Sequence, residues 1–153
     1  MQPWIESHLQ WMWIIFPLYF TALWVLVGFI ISYIGGWWTL RTRYRARAPF
    51  SGQLIRGQSG QMRWLAGYST CLNVGANEEG LFLSTMVLFR AGHPPLLIPW
   101  DEVTVRRGKF LLVVDVVKFR LDREFSIPLW IRASLASKLR TSAGRSWPVE
   151  ELA

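Results

Sequence analysis

The side chains best suited to nucleophilic chemistry in this 153-residue chain are one cysteine and two histidines. Cys71 lies in the run YSTCLNVGA and His93 in GHPP, while His8 precedes a long apolar segment. A Cys71–His93 pair would combine a thiol nucleophile with a base. However, a lone cysteine beside leucine is more typical of a small buried residue, and one cysteine and one nearby histidine are too few ligands for zinc. We therefore expect no enzymatic activity, no metal site and no cofactor.

Two pairs of adjacent acids are the next candidates, because general acid–base catalysis often uses paired carboxylates. Glu78–Glu79 and Asp101–Glu102 both lie in turn-like sequence. Neighbouring residues on a strand point to opposite faces, so neither pair converges on one substrate atom. Asp115, inside the most apolar run, is expected to face solvent or to pair with a base. We therefore expect no acid–base site either.

The basic residues give the strongest chemical signal, with a net charge of +7. No residue between Glu6 and Arg41 carries a formal charge, and then arginines occupy alternate positions: Arg41, Arg43, Arg45 and Arg47. They could set membrane topology, contact lipid phosphates from one face of an extended segment, or bind nucleic acid. Because the block directly follows an apolar segment, we favour topology control and expect no nucleic-acid partner.

The uncharged segment predicts a transmembrane helix over residues 11–38. A crossing needs about 20 apolar residues, and so short a chain could hardly enclose a helix that is apolar on every side. Tryptophans mark the two expected membrane interfaces, Trp11 and Trp13 at one and Trp37 and Trp38 at the other. The run is too long for a cleaved signal peptide and lacks a basic start. We therefore expect a permanent anchor.

Within the predicted span, three residues are candidates for contact with another helix. Trp24 lies at mid-depth, where no interface explains it. Gly28 and Ser32 form a small-xxx-small pair that lets helices approach closely, although a lipid-facing glycine is an equal alternative. The arginines follow the span and no base precedes it, so the positive-inside rule predicts a single-pass protein of the inner (cytoplasmic) membrane. Its N-terminus would lie outside and its C-terminal domain in the cytoplasm.

After a tail (1–10), the span and a basic juxtamembrane linker (39–51), short apolar runs alternate with turn signals. This pattern is typical of antiparallel strands. We expect strands in YSTCLNVGA, LFLSTMVLFR, LLIPW and the fully buried FLLVVDVVKFRL, with RRGK as a hairpin turn.

The end of the chain changes from strand-like to helical periodicity. Ile131, Leu135 and Leu139 recur every four residues and Pro128 suits a first helical turn, so we expect a helix over 128–143. These elements form a mainly-β domain over 52–144, followed by a tail (145–153). The predicted fold class is a single transmembrane helix followed by a small cytoplasmic β domain.

The stretch EEGLFLSTMVLFRAGHPPLLIPWDEV, Glu78–Val103, resembles small uncharacterised bacterial membrane proteins with a pleckstrin-homology-like (PH-like) or GRAM-like domain. In that fold, a C-terminal helix plugs one open end of a curled antiparallel sheet. The resemblance implies a binding domain without agreed catalytic residues. Some PH domains bind lipid through a basic hairpin, which Arg106, Arg107 and Lys109 echo.

We hypothesise a membrane-anchored, non-catalytic binding or scaffold module at the cytoplasmic face of the membrane. Its expected partners are the lipid bilayer and another membrane protein or complex. The alternative is a structural accessory subunit of a larger membrane assembly, for example a respiratory or photosynthetic one. Both hypotheses depend on the predicted transmembrane helix.

Overall fold

A computed structural model describes residues 3–63 and 66–151, without the side chain of residue 5. The chain begins with a long helix, α1 (Pro3–Gly35). Among the described residues it is the one helix long and apolar enough to cross a membrane: the candidate span is Glu6–Gly35, and a window of 18 residues within it has a mean hydropathy of 2.4. All its described side chains up to Val27 are exposed. Length and composition therefore agree with the predicted membrane helix.

The helix does not end where the sequence suggested. Gly36, with a φ of 87°, interrupts it, and a second helix, α2 (Trp37–Tyr44), follows at once. A left-handed glycine is a common way to end a helix. The side chains of Trp37 and Leu40, one helical turn apart, are then fully buried in the domain core. Much of the predicted span end and linker is thus part of the folded domain.

The rest of the chain forms one curled sheet and a third helix. The strands are β1 (Leu54–Met62), β2 (Ala66–Ala76), β3 (Gly80–Thr85), β4 (Leu96–Pro99), β5 (Val103–Phe110), β6 (Val114–Leu121), β7 (Ile127–Arg132) and β8 (Glu150–Glu151). Their order is β4-β3-β2-β1-β7-β6-β5-β8. Neighbours are antiparallel except β5 and β8, which are parallel.

The C-terminal helix α3 (Ala133–Ala143) begins later than predicted. Ile127, Leu129 and Ile131 are buried alternately along β7, so the preceding segment has the two-residue period of a strand and Pro128 lies within it. Leu135 and Leu139 of α3 are buried against the sheet, as the predicted helical face required.

Two predicted strands are also shorter than expected. β3 ends at Thr85, and Val87–Phe89 form a 3₁₀ turn. The run FLLVVDVVKFRL is split, because β5 continues through RRGK to Phe110 and β6 starts at Val114. The chain therefore turns inside its most apolar segment rather than at the basic one.

Part of the predicted C-terminal tail belongs to the domain. The ring of Trp147 lies 5.5 Å from that of Trp100 and 5.8 Å from that of Phe119, centroid to centroid. Glu150 and Glu151 then pair with β5 as strand β8. The domain thus extends on both sides of the predicted boundaries 52–144.

Replacing Trp147 by alanine tests this boundary. Trp147 is half-buried, and replacing a fully buried tryptophan by alanine costs about 3–5 kcal/mol, so we expect the free energy of unfolding to fall by about 2 kcal/mol. Val149, 92% exposed, is the control, and its change to alanine should alter stability by less than about 0.5 kcal/mol. Circular dichroism of the intact chain in detergent measures both. Equal stabilities would place Trp147 outside the folded unit.

Candidate functional site

The loop between β3 and β4, residues 86–93, packs on one face of α1 and is called the junction loop here. The indole Nε1 of Trp24 donates a hydrogen bond of 2.8 Å to the carbonyl oxygen of Leu88. Two helical turns later, the hydroxyl of Ser32 donates to the carbonyl oxygen of Gly92. The helix is thus bonded to the domain at two levels.

Glycines allow this close packing. A β-carbon at Gly28 would lie 2.9 Å from the carbonyl oxygen of Ala91, and one at Gly35 would lie 2.7 Å from the β-carbon of Ala66. A β-carbon at Gly92 of the loop, where φ is 74°, would lie 3.1 Å from the α-carbon of Phe29 in α1. No larger side chain fits at these positions without a shift of the backbone.

The small-residue face of α1 therefore has a partner within its own chain. Trp24, Gly28 and Ser32, predicted to contact another helix, all face the junction loop. The spacing indicates a close packing surface, but it does not specify whether a helix or a loop covers that surface.

The tryptophans predicted at the membrane interfaces separate into two groups. Trp11 and Trp13 are 61% and 81% exposed on α1, as an interfacial position requires. Trp37 differs from the prediction, because its side chain is fully buried and its Nε1 donates 2.9 Å to the carbonyl oxygen of Pro94. Trp38 remains partly exposed, with the guanidinium of Arg41 3.7 Å above its ring centroid.

The arginine block does not form one extended face. Arg41 and Arg43 lie on helix α2, where residues two apart point in directions about 200° apart. Arg45 forms an isolated bridge with Leu96 of β4, and Arg47 is exposed. Only part of the block is therefore oriented toward solvent or lipid headgroups.

Arg43 instead reaches a buried acid that sequence reasoning did not single out. Asp122, 1% exposed, accepts hydrogen bonds from Arg43 Nη1 at 3.2 Å and from the hydroxyl of Tyr44 at 3.0 Å. Burial alone would raise the pKa of Asp122, but its hydrogen bonds, first that from the N–H of Glu124, lower the pKa overall. An aspartate after an apolar run, such as Asp122, predicts an Asx turn, but the sequence does not predict that its carboxylate is buried.

A second buried polar pair lies beside the junction loop. His93 is 2% exposed, with Nε2 2.9 Å from the hydroxyl of Tyr68 and Nδ1 3.0 Å from the carbonyl oxygen of Ala91. Because that carbonyl can only accept, we assign the proton to Nδ1, and Nε2 accepts from Tyr68. Burial lowers the pKa of His93, which favours this neutral form.

The same geometry argues against a Cys71–His93 nucleophile. Both ring nitrogens of His93 are engaged by other partners, and burial raises the pKa of the Cys71 thiol, so the reactive thiolate is disfavoured. Within residues 3–63 and 66–151, no three His, Cys, Asp or Glu side chains stand close enough to hold a metal ion.

The basic residues of RRGK lie on β5 and not in a turn. Arg106, Arg107 and Lys109 are exposed, but Arg107 Nε is bonded to the carboxylate of Glu150 at 2.6 Å. Gly108 sits in the strand with open space around its α-carbon, so it does not mark a turn. Arg106 and Lys109 therefore remain as surface cations close to the actual turn.

That turn, the hairpin tip (Phe110–Val114), is apolar and exposed. Its five side chains are between 43% and 88% exposed. The N–H of Val113 bonds to the carbonyl oxygen of Phe110, and the two residues between, Leu111 and Leu112, have φ values of 51° and 61°. Turns of this kind favour Asn and Gly, because larger side chains strain the left-handed backbone.

Behind the junction loop lies an open cleft of about 960 Å³. Its lining includes Arg56 and Arg90, both exposed, and no acidic residue. The lining also includes Thr85, whose buried hydroxyl has no hydrogen-bond partner among the described residues. The cleft therefore presents positive charge beside the apolar tip of the junction loop.

The stretch 78–103 that resembles PH-like domains spans β3, the junction loop and β4. No family model, curated protein or solved structure matches the chain. The PH-like resemblance therefore stays a prediction, and the geometry of the junction and of the hairpin tip supplies the grounds for a function.

Changing Arg43 to methionine tests the link between α2 and Asp122. Loss of the guanidinium leaves a buried carboxylate without its cation, which is destabilising, so we expect the unfolding temperature to drop by several degrees. Arg41→Met is the matched control, because Arg41 contacts only the Trp38 ring among the interactions described for it. Thermal unfolding in detergent measures both. Equal effects of the two changes would contradict the structural role of Arg43.

Because His93 is buried, we expect the free energy of unfolding of the chain to depend on pH. The pKa of His93 is lowered from its ordinary value of 6.5 in the folded chain. Below that pH the unfolded chain takes up a proton that the folded chain does not, so the free energy of unfolding should decrease as pH falls. The pKa values of Asp122 and Glu150 are lowered from 3.8 and 4.5, so these two carboxylates change the free energy of unfolding only at lower pH.

Denaturant unfolding of the intact chain between about pH 7 and pH 5 measures this decrease. His93→Gln, which keeps an oxygen able to accept from Tyr68, is the control and should show a smaller slope. The same slope in both proteins would mean that His93 does not titrate as its burial implies.

Proposed function

We propose that this chain is a membrane-anchored, non-catalytic binding or scaffold module. In this proposal α1 crosses the cytoplasmic membrane once, with its N-terminus outside, and the β domain lies on the cytoplasmic side. The proposal is supported by a long, exposed, apolar helix followed by exposed arginines such as Arg45 and Arg47, as the positive-inside rule expects.

The rigid junction favours a scaffold over a loosely tethered domain. Close contacts at Gly28 and Gly35 and the ion pair of Arg43 with Asp122 fix the domain on the last third of α1. A domain held in this way presents the same surfaces to the membrane and to the cytoplasm at all times. Fixed presentation suits a protein that positions a partner at the membrane.

The hairpin tip is the surface that we propose for the partner, and it is the observation that carries the proposal. Exposed apolar patches on folded domains commonly mark protein interaction sites. Leu111 and Leu112 occupy backbone positions where leucine costs about 1–2 kcal/mol per residue. A turn that retains leucine there has not been optimised for its own stability, and strain of this kind is characteristic of functional sites.

The charges around the tip specify the chemistry of the partner. Arg106, Lys109 and Lys118 lie on the strands that lead to the tip, and Asp115, the one acid between positions 106 and 118, lies opposite Lys109, so the cations outnumber the acid. We therefore propose a partner with an apolar pocket bordered by acidic side chains. A PH-like fold belongs to this proposal, because strands β1 to β7 followed by helix α3 are compatible with it.

The second candidate function is a structural subunit of a larger membrane complex. It is favoured by an aromatic row on α1, where the rings of Phe16, Phe20 and Trp24 stack at centroid distances of 6.3 Å and 6.1 Å. Such a row is suited to packing against a neighbouring helix. Stoichiometric co-migration with a large complex in mild detergent would favour this candidate over an independent module.

A double substitution at the tip, Leu111→Asn with Leu112→Gly, tests the proposed partner site. Asn and Gly suit the turn better than leucine, so we expect the domain to fold at least as stably, while a partner that co-purifies with the intact chain in mild detergent is lost. Val149→Ser, which removes an equally exposed valine elsewhere, should retain the partner. Retention of the partner by the Asn-Gly variant would exclude the tip as its site.

A further inference from the structure

We infer that the apolar turn of the junction loop, residues 86–89, is itself embedded in the bilayer, with Val87 and Leu88 in the acyl region of the leaflet beside α1. This inference rests on the proposed membrane crossing of α1. It concerns a surface different from the hairpin tip, and its ligand is lipid rather than protein.

The position of Trp24 places the loop at membrane depth. Between Trp11 and Ile34 the helix is free of charged residues, and a crossing occupies about 20 of them. Every placement of such a span within this stretch includes Trp24. Because the indole of Trp24 is bonded to the carbonyl oxygen of Leu88, the loop must lie at the same level.

The side chains of the loop suit an apolar surrounding. Val87 and Leu88 are 75% and 71% exposed, and Met86 and Phe89 on either side are also partly exposed. Water would be an unfavourable environment for four consecutive apolar residues. The rings of Phe89 and Trp24, both partly exposed, lie 5.4 Å apart between centroids and join this surface to the exposed apolar surface of α1, which argues for lipid as the occupant.

The backbone of the loop also meets the main requirement for irregular structure in lipid, which is internal hydrogen bonding. The N–H of Phe89 bonds to the carbonyl oxygen of Met86 at 2.9 Å, and the N–H of Arg90 bonds to that of Val87 at 3.3 Å. Leu88 accepts its bond from Trp24. The 3₁₀ turn therefore carries few unpaired polar groups into the leaflet.

Basic side chains lie directly behind the apolar turn. Arg90 follows the loop's apolar residues, and Arg56 lines the adjoining cleft together with it. Long arginine side chains near an embedded segment extend to the headgroup phosphates. An apolar turn with basic side chains directly behind it is suited to a leaflet that contains anionic lipid.

A depth measurement on the full chain tests the inference. Cys71 is replaced by alanine, and one environment-sensitive fluorophore is attached at Val87→Cys, at Val149→Cys as a control on an exposed valine of the β domain, or at Leu18→Cys as a marker of the span. The proteins are reconstituted in vesicles of phosphatidylcholine and phosphatidylglycerol that carry nitroxide-labelled acyl chains. Thermal unfolding first confirms that each labelled chain is folded.

We expect the nitroxide lipids to quench the probes at positions 18 and 87 several-fold more than the probe at 149. A probe at 87 that is quenched no more than the one at 149, while position 18 is strongly quenched, would overturn the inference and leave the anchor intact. A blue-shifted but unquenched probe at 87 would also overturn it, because the loop would then be covered by protein. An unquenched probe at 18 would overturn the membrane crossing itself.

Discussion

The constraint on which the whole structure depends is the close approach of α1 to the junction loop. A β-carbon at Gly28 would lie 2.9 Å from the carbonyl oxygen of Ala91, and one at Gly92 would lie 3.1 Å from the α-carbon of Phe29, so neither position accepts a side chain without a shift of its neighbours. This contact makes the long helix and the β domain one body, although every described side chain of α1 before Gly28 is exposed. The properties of the long apolar helix and of the domain are therefore coupled.

Two buried polar groups hold the helical part of the chain to the sheet, Asp122 through α2 and His93 through the junction loop. Burial of a charge or an imidazole is tolerated only when its hydrogen bonds are satisfied, and both Asp122 and His93 meet this condition. They hold α2 and the junction loop in fixed positions against the sheet. The exposed apolar surfaces of the hairpin tip and the junction loop therefore have defined positions relative to α1, as the proposed scaffold function requires.

Sequence alone predicts the parts of this fold that follow from hydropathy and period. The long apolar helix, the antiparallel strands and the buried face of α3 were all readable, because each depends on local pattern. Local pattern does not predict which residues contact each other in the tertiary structure. The sequence predicts Trp37 at a membrane interface, but its side chain on α2 is buried in the domain core. It also predicts a turn at RRGK, but these residues belong to strand β5. The apolar turn at Leu111 contradicts ordinary turn chemistry, so no local rule predicts it.

Hydrogen–deuterium exchange of the intact chain in lipid nanodiscs tests the coupling of helix and domain most directly. The account predicts that amides of α1 from Trp11 to Ile34 and those of Phe89 and Arg90 in the junction loop exchange slowly together, because one packed, lipid-covered unit protects both. Slow exchange in α1 combined with exchange in the junction loop as fast as at Leu111 and Leu112 would contradict it. The domain would then be merely tethered to its anchor.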